Sequence, residues 1–127
     1  MKEKVETSNA PAAVGPYSQA IKANGFMFIS GQIPRDPATG QMDAVDIVAQ
    51  TKQVMANIRA ILDAEGLTFA DLVKTTILLT DLSDFARVNE VYATYFESDP
   101  PARATYQVVA LPIGAKIEIE AIAALRL

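Results

Sequence analysis

Histidine and cysteine are both absent from the 127 residues. Without cysteine there is no disulfide, no thiolate nucleophile and no thiolate-ligated metal. Without histidine, serine–histidine and cysteine–histidine hydrolase chemistry is excluded, as are the histidine-bearing zinc and non-haem iron sites; among metal centres only a carboxylate-oxygen site remains open. Acid–base work therefore falls to Asp, Glu, Lys, Tyr or positioned water. Long apolar runs are missing too. No stretch approaches the roughly 20 residues needed to cross a bilayer, and residues 1–8 are mixed charged and polar, so no membrane partner and a cytoplasmic location are expected. Basic clusters are also lacking: eleven Lys and Arg are scattered among fifteen Asp and Glu, for a net charge of −4. A nucleic-acid partner is not expected from that balance, because phosphate neutralisation by clustered cations dominates such binding.

What is present is enough apolar material for a core. Half the residues are hydrophobic, and the length fits one domain, 1–127. Strands are predicted over 18–23 and 26–30 around Asn24-Gly25, a dipeptide suited to the positive φ angles of a tight hairpin. Pro34, Pro37 and Gly40 then mark a surface loop with a charged tip at Arg35 and Asp36. From Asp46 the apolar period becomes helical, through Ile47, Val48, Val54, Met55, Ile58, Ile61 and Leu62, with Gly66 as the stop.

A β-branched run predicts a strand over 72–80, and Phe85, Val88, Val91, Tyr92, Tyr95 and Phe96 predict a second helix from Ser83 or Asp84 to Phe96, stopped by Pro100-Pro101. Strands over 104–110 and 116–125 complete a β-β-α-β-α-β-β order, with room for a short strand before Ala10. This is an α+β pattern with a mixed sheet and two helices, which cover one face only. In the last strand Ile117, Ile119, Ala121 and Ala123 belong under the helices. Lys116, Glu118, Glu120 and Ile122 face the other way, a mixed set that suits a surface partly covered by a neighbouring subunit. No repeat or low-complexity segment is present.

Six segments in order resemble the RidA/YjgF family of enamine/imine deaminases: Gly15-Pro16-Tyr17-Ser18-Gln19, Ile29-Ser30-Gly31-Gln32-Ile33, Val73-Lys74-Thr75-Thr76, Asp84-Phe85 with Val88-Asn89, Pro101-Ala102-Arg103, and Lys116-Ile117-Glu118-Ile119-Glu120-Ala121. Each is weak alone; together they span almost the whole chain. The resemblance implies a chorismate mutase-like domain, a homotrimer with an active site at each subunit interface, and no cofactor. It implies substrates such as 2-aminoacrylate, its tautomer 2-iminopropanoate, and 2-iminobutanoate, hydrolysed to 2-keto acids and ammonia. An older description of the family as endoribonuclease L-PSP leaves a ribonuclease or translation inhibitor as one alternative. A regulatory trimer that binds small carboxylates without turnover is another.

A 2-imino acid offers a carboxylate and an electrophilic C=N carbon. Arg103, matched by the Pro-Ala-Arg segment, suits the first, since its planar fork stays cationic and grips carboxylates bidentately; a surface arginine or an intersubunit ion pair is the plain alternative. Glu118, on a strand that holds it in place, suits activation of the attacking water. Periodicity does not choose between Glu118 and Glu120, which share a face; the family motif favours Glu118. Tyr17, Ser30, Gly31 and Asn89 match positions that line the site. Ser30 is expected to donate to a carboxylate oxygen or the imine nitrogen, and Gly31 to allow close backbone approach. The bland accounts are packing after the Gly15-Pro16 turn for Tyr17, a simple strand end for Ser30, and a hydrogen bond to backbone for Asn89. Two positions depart from the family pattern: Thr105 stands where many members carry cysteine, which removes thiol reactivity while leaving a hydroxyl, and Pro100 stands where many carry an aromatic residue.

Overall fold

The computed structural model describes residues 1–126. The Asn24-Gly25 turn forms as its residue types demand, with φ of 51° and 83°, and joins β2 (Ala20–Ala23) to β3 (Phe26–Gln32) as an antiparallel hairpin. A short β1 (Glu3–Val5) adds to the outer edge of β2. Helix α1 (Ile47–Ala64) begins where the Asp46 carboxylate accepts a hydrogen bond from Ala49 N at 2.9 Å. It ends where Gly66 takes φ 70° and Leu67 N closes on Leu62 O at 3.0 Å.

β4 (Leu72–Leu79), α2 (Phe85–Ala93) and β5 (Ala102–Gln107) make a crossover in which β4 and β5 run parallel; every other pair is antiparallel, and β6 (Ile117–Ala124) inserts between β3 and β4. The sheet order is β1-β2-β3-β6-β4-β5. The α+β reading and the element order hold, with β1 filling the place left for a short strand.

Both helices lie on one face. Met27, Ile29, Ile77, Leu79, Ile117, Ile119, Ala121 and Ala123 from the sheet pack beneath Val54, Met55, Ile58, Ile61, Leu62 and Val88, all buried. Each large side chain so buried contributes about 1.5–3 kcal/mol. The alternation expected of β6 is present: the odd residues are buried, while Glu118 and Ile122 are half-buried and Glu120 exposed on the open face.

Three local expectations are corrected. The strand predicted over 104–110 starts at Ala102 and ends at Gln107, because parallel pairing with β4 begins at Lys74↔Ala102, immediately after Pro101. The regular part of α2 stops at Ala93; its apolar period continues to Phe96 through a tighter turn, Tyr95 N→Tyr92 O at 3.2 Å and Phe96 N→Ala93 O at 3.3 Å. Arg35 is not a solvated loop tip. The exposed residues there are Ala38 and Thr39, while Pro34 is buried and Arg35 half-buried.

Candidate active site

A bulge in β3 sets one side of the site. Pairing with β6 runs regularly to Ile29↔Ala121, slips, and resumes at Gln32↔Ile119, so Ser30 and Gly31 leave the ladder beside Glu118. The Glu118 side chain lies across Gly31: a Cβ built there would stand 2.8 Å from Glu118 Cδ, closer than atoms pack. A side chain at 31 would push the Glu118 carboxylate out of this position. The same open cavity, about 500 Å³, is lined by Tyr17, Ser30, Gly31, Arg35, Glu118 and Glu120 among others. Burial first, and the Glu120 charge second, hold the Glu118 carboxyl above the usual carboxylate range.

Ser30 is anchored twice. Its backbone N–H donates to Gln19 O at 2.9 Å and its hydroxyl to Ser18 O at 2.5 Å. The hydroxyl proton is thus already committed to a carbonyl, so toward a ligand Ser30 Oγ offers lone pairs, and the expected donor role becomes an acceptor role. Tyr17 is 50% exposed at the cavity wall, its hydroxyl accepting a long bond from Val14 N at 3.4 Å.

Arg103 lies elsewhere. On β5 it is exposed yet held: Nη1 donates to Asn89 Oδ1 at 2.8 Å, and the guanidinium carbon sits 5.3 Å and 5.2 Å from the ring centroids of Phe85 and Tyr92. Tyr92 is fixed in turn by a buried 2.6 Å hydrogen bond between its hydroxyl and Thr75 Oγ1. Burial raises the Tyr92 hydroxyl pKa, partly offset by Thr75 and by the Arg103 charge. Arg103 and Asn89 line a second cavity of about 570 Å³ with Tyr92, Phe96, Pro100 and Pro101. Thr105, two residues along the same face of β5, has a buried hydroxyl oxygen with no hydrogen-bond partner.

Within one chain the two groups do not meet. Arg103 is in register with Thr75 and Glu118 with Leu78. Thr75 points to the helices and Leu78, three residues on, to the open face, so Arg103 and Glu118 project from opposite faces of the sheet. Tyr17, Ser30, Gly31 and Glu118 are brought together; Asn89 and Arg103 form a separate group, with Thr105 farther along their face.

The family model described as Endoribonuclease L-PSP matches residues 7–125. The chain belongs to this family. It is 56% identical over 124 residues to protein DfrA of Myxococcus xanthus, covering 96% of this chain and 95% of that one. It is 50% identical over 123 residues to the 2-iminobutanoate/2-iminopropanoate deaminase of Mus musculus, covering 97% and 91%. The crystal structure of the YjgF gene product of E. coli superposes with a TM-score of 0.92 at 45% identity, covering 98% of this chain and 99% of that one. The RidA/YjgF resemblance read from the six segments is thereby shown.

Against this L-PSP family frame, three side chains that shape the glutamate cavity escaped the sequence reading. Gln19 is buried and donates to the carbonyls of Thr7, Ala10 and Pro11 while accepting from Thr7 N, tying down the segment that forms one wall. Asn57, buried on α1, donates to Ile33 O and Arg35 O at 3.2 Å and 2.9 Å. Arg35 lines the cavity itself. The signal for the first two was a polar residue inside an apolar pattern; Gln19 also lay within a quoted segment. Among the described residues no three acidic side chains cluster as metal ligands.

Proposed function

We propose that this chain hydrolyses 2-imino acids to 2-keto acids and ammonia, in a trimer whose sites each draw Arg103 from one copy and Glu118, Ser30 and Gly31 from another. The observation that carries this reading is Glu118: a carboxyl group with a raised pKa, lying across Gly31, beside a serine oxygen whose proton is committed to the Ser18 carbonyl. The deaminase names among relatives at about half identity support it. So does the open sheet face, where Phe28 and Tyr106 are 44% and 57% exposed beside half-buried Leu78 and Ile122, the apolar surface a second copy would cover.

Arg103, already aimed by Asn89 and two rings, pairs with the substrate carboxylate through charge-assisted hydrogen bonds worth roughly 1.5–3 kcal/mol each. Ser30 Oγ accepts the imine N–H. Glu118 takes a proton from a water as its oxygen adds to the C=N carbon and passes that proton to the nitrogen, giving a carbinolamine. Glu118 then takes the hydroxyl proton and delivers it to the nitrogen as the C–N bond breaks, and keto acid and ammonia leave. Each proton taken is returned, so no cofactor enters. Such imines also hydrolyse unaided, and positioning supplies most of what is required. We place the activity in the cytoplasm; among the described residues no helix is long and apolar enough to span a membrane. The net charge of −4 weighs against RNA as substrate.

The test is decay of 2-iminopropanoate and 2-iminobutanoate, generated by a coupled dehydratase, with parent protein and Arg103→Ala. The parent is expected to accelerate decay and the variant to lose about tenfold or more in kcat/KM. Decay unaffected by the parent would leave a binding protein rather than an enzyme.

A further inference from the structure

The loop after β3 is built as a rigid support. Asp36 N donates to Gln41 O and Gly40 N to Asp36 O, each at 2.8 Å, and Asp36 Oδ1 accepts from Ala38 N at 2.8 Å. Asn57 grips the loop's base through the carbonyls of Ile33 and Arg35. The Arg35 side chain folds back so that Nη1 donates to Gly40 O at 2.8 Å. The guanidinium thus fixed lines the cavity of Ser30, Gly31 and Glu118. A guanidinium has five N–H donors, and among the described residues this one bond alone uses them. None of the ion pairs among the described residues includes Arg35. A half-buried, immobilised cation with most of its donors free is arranged to receive an anion.

The cavity wall runs from Ser30, Gly31 and Glu118 to Arg35. The other charges on its wall, Glu118 and Glu120, would repel a second acidic group on a substrate unless a cation received it.

We infer that Arg35 binds a second carboxylate, making 2-imino dicarboxylic acids a favoured substrate class of this chain. The inference rests on the function proposed above and names its substrate more narrowly. The class of reaction that would supply such a substrate is the two-electron oxidation of an acidic α-amino acid at its Cα–N bond. Hydrolysis here then adds one water and releases ammonia, leaving a keto dicarboxylic acid, with no further oxidant required.

The test uses the full chain in its native assembly. Iminosuccinate is generated from aspartate by an aspartate oxidase, and 2-iminopropanoate from alanine by an amino-acid oxidase. With Arg35→Gln, the ratio of kcat/KM on iminosuccinate to that on 2-iminopropanoate is expected to fall about tenfold or more, through KM, with part of the ratio restored by Arg35→Lys. Arg35 shares a cavity wall with Glu118 and Glu120, and the competing role is to lower the Glu118 pKa. In that case Arg35→Gln would move the acid limb of the pH profile equally for both substrates and leave the ratio unchanged, which overturns the inference. Binding to the unmodified protein gives a measurement independent of any variant's folding: oxaloacetate should bind about tenfold more tightly than pyruvate, and equal affinity overturns the inference. Parent protein that speeds 2-iminopropanoate decay but not iminosuccinate decay refutes the dicarboxylate preference alone; parent protein that speeds neither refutes the deaminase reading as well.

Discussion

Glu118 is held in a state that favours its chemistry at the expense of the fold. With its carboxyl pKa raised by burial and then by Glu120, the folded chain binds more protons than the unfolded one between the ordinary glutamate value and the raised one. Stability contributed by this group is therefore greatest at low pH and falls as pH climbs through that window. Glu118→Gln removes the titration. It is expected to match or exceed the parent in urea midpoint at neutral pH, with a flatter pH dependence across the window, while imine turnover drops about 10²- to 10⁴-fold. A variant less stable than the parent at neutral pH would show that the carboxylate is structural. Periodicity alone put Glu118 and Glu120 on one face without ranking them. The difference between them is the β3 bulge, a long-range feature: Glu118 lies over Gly31, whereas Glu120 is exposed and also borders the patch around Lys74 and Ile122. Arg35 was misread for a related reason, since Pro, Asp and Gly around it signal a turn but not which helix holds that turn down.

Among the elements, α1 serves the site from behind the sheet. Its two ends of influence are separable: Asp46 caps its first turn, and Asn57 holds the loop that carries Arg35. Asp46→Ala is expected to cost about 1 kcal/mol of stability with imine turnover unchanged. Asn57→Ala leaves two carbonyls unsatisfied, is expected to cost about 1–3 kcal/mol, and raises KM as the cavity wall loosens. Denaturant midpoints and steady-state kinetics on the same preparations check both; equal kinetics in the two variants would detach α1 from the site. Elements defined by local chemistry were legible in the chain: the Asn24-Gly25 hairpin, the capped and glycine-stopped α1, and the in-out alternation of β6. The parallel pairing of β4 with β5 and the insertion of β6 between β3 and β4 depend on contacts far apart in sequence, and no residue pattern announces them.

At the scale of the whole molecule, one chain carries two half-sites on opposite faces of its sheet: Asn89 and Arg103 under α2, and Tyr17, Ser30, Gly31 and Glu118 around the bulge. Resemblance had supplied Arg103 and Glu118 as partners; the strand register shows that a single chain keeps them apart. A cyclic assembly resolves this by letting each interface join one half from each neighbour. Complementation measures it directly. Arg103→Ala and Glu118→Gln chains, each expected to be nearly inactive alone, are unfolded, mixed in equal amounts and refolded together. Random assembly leaves about a quarter of the interfaces with both native groups, so imine hydrolysis should return to about that fraction of the parent rate. A mixture that assembles as the parent does yet stays as inactive as either variant alone would contradict a site shared between copies.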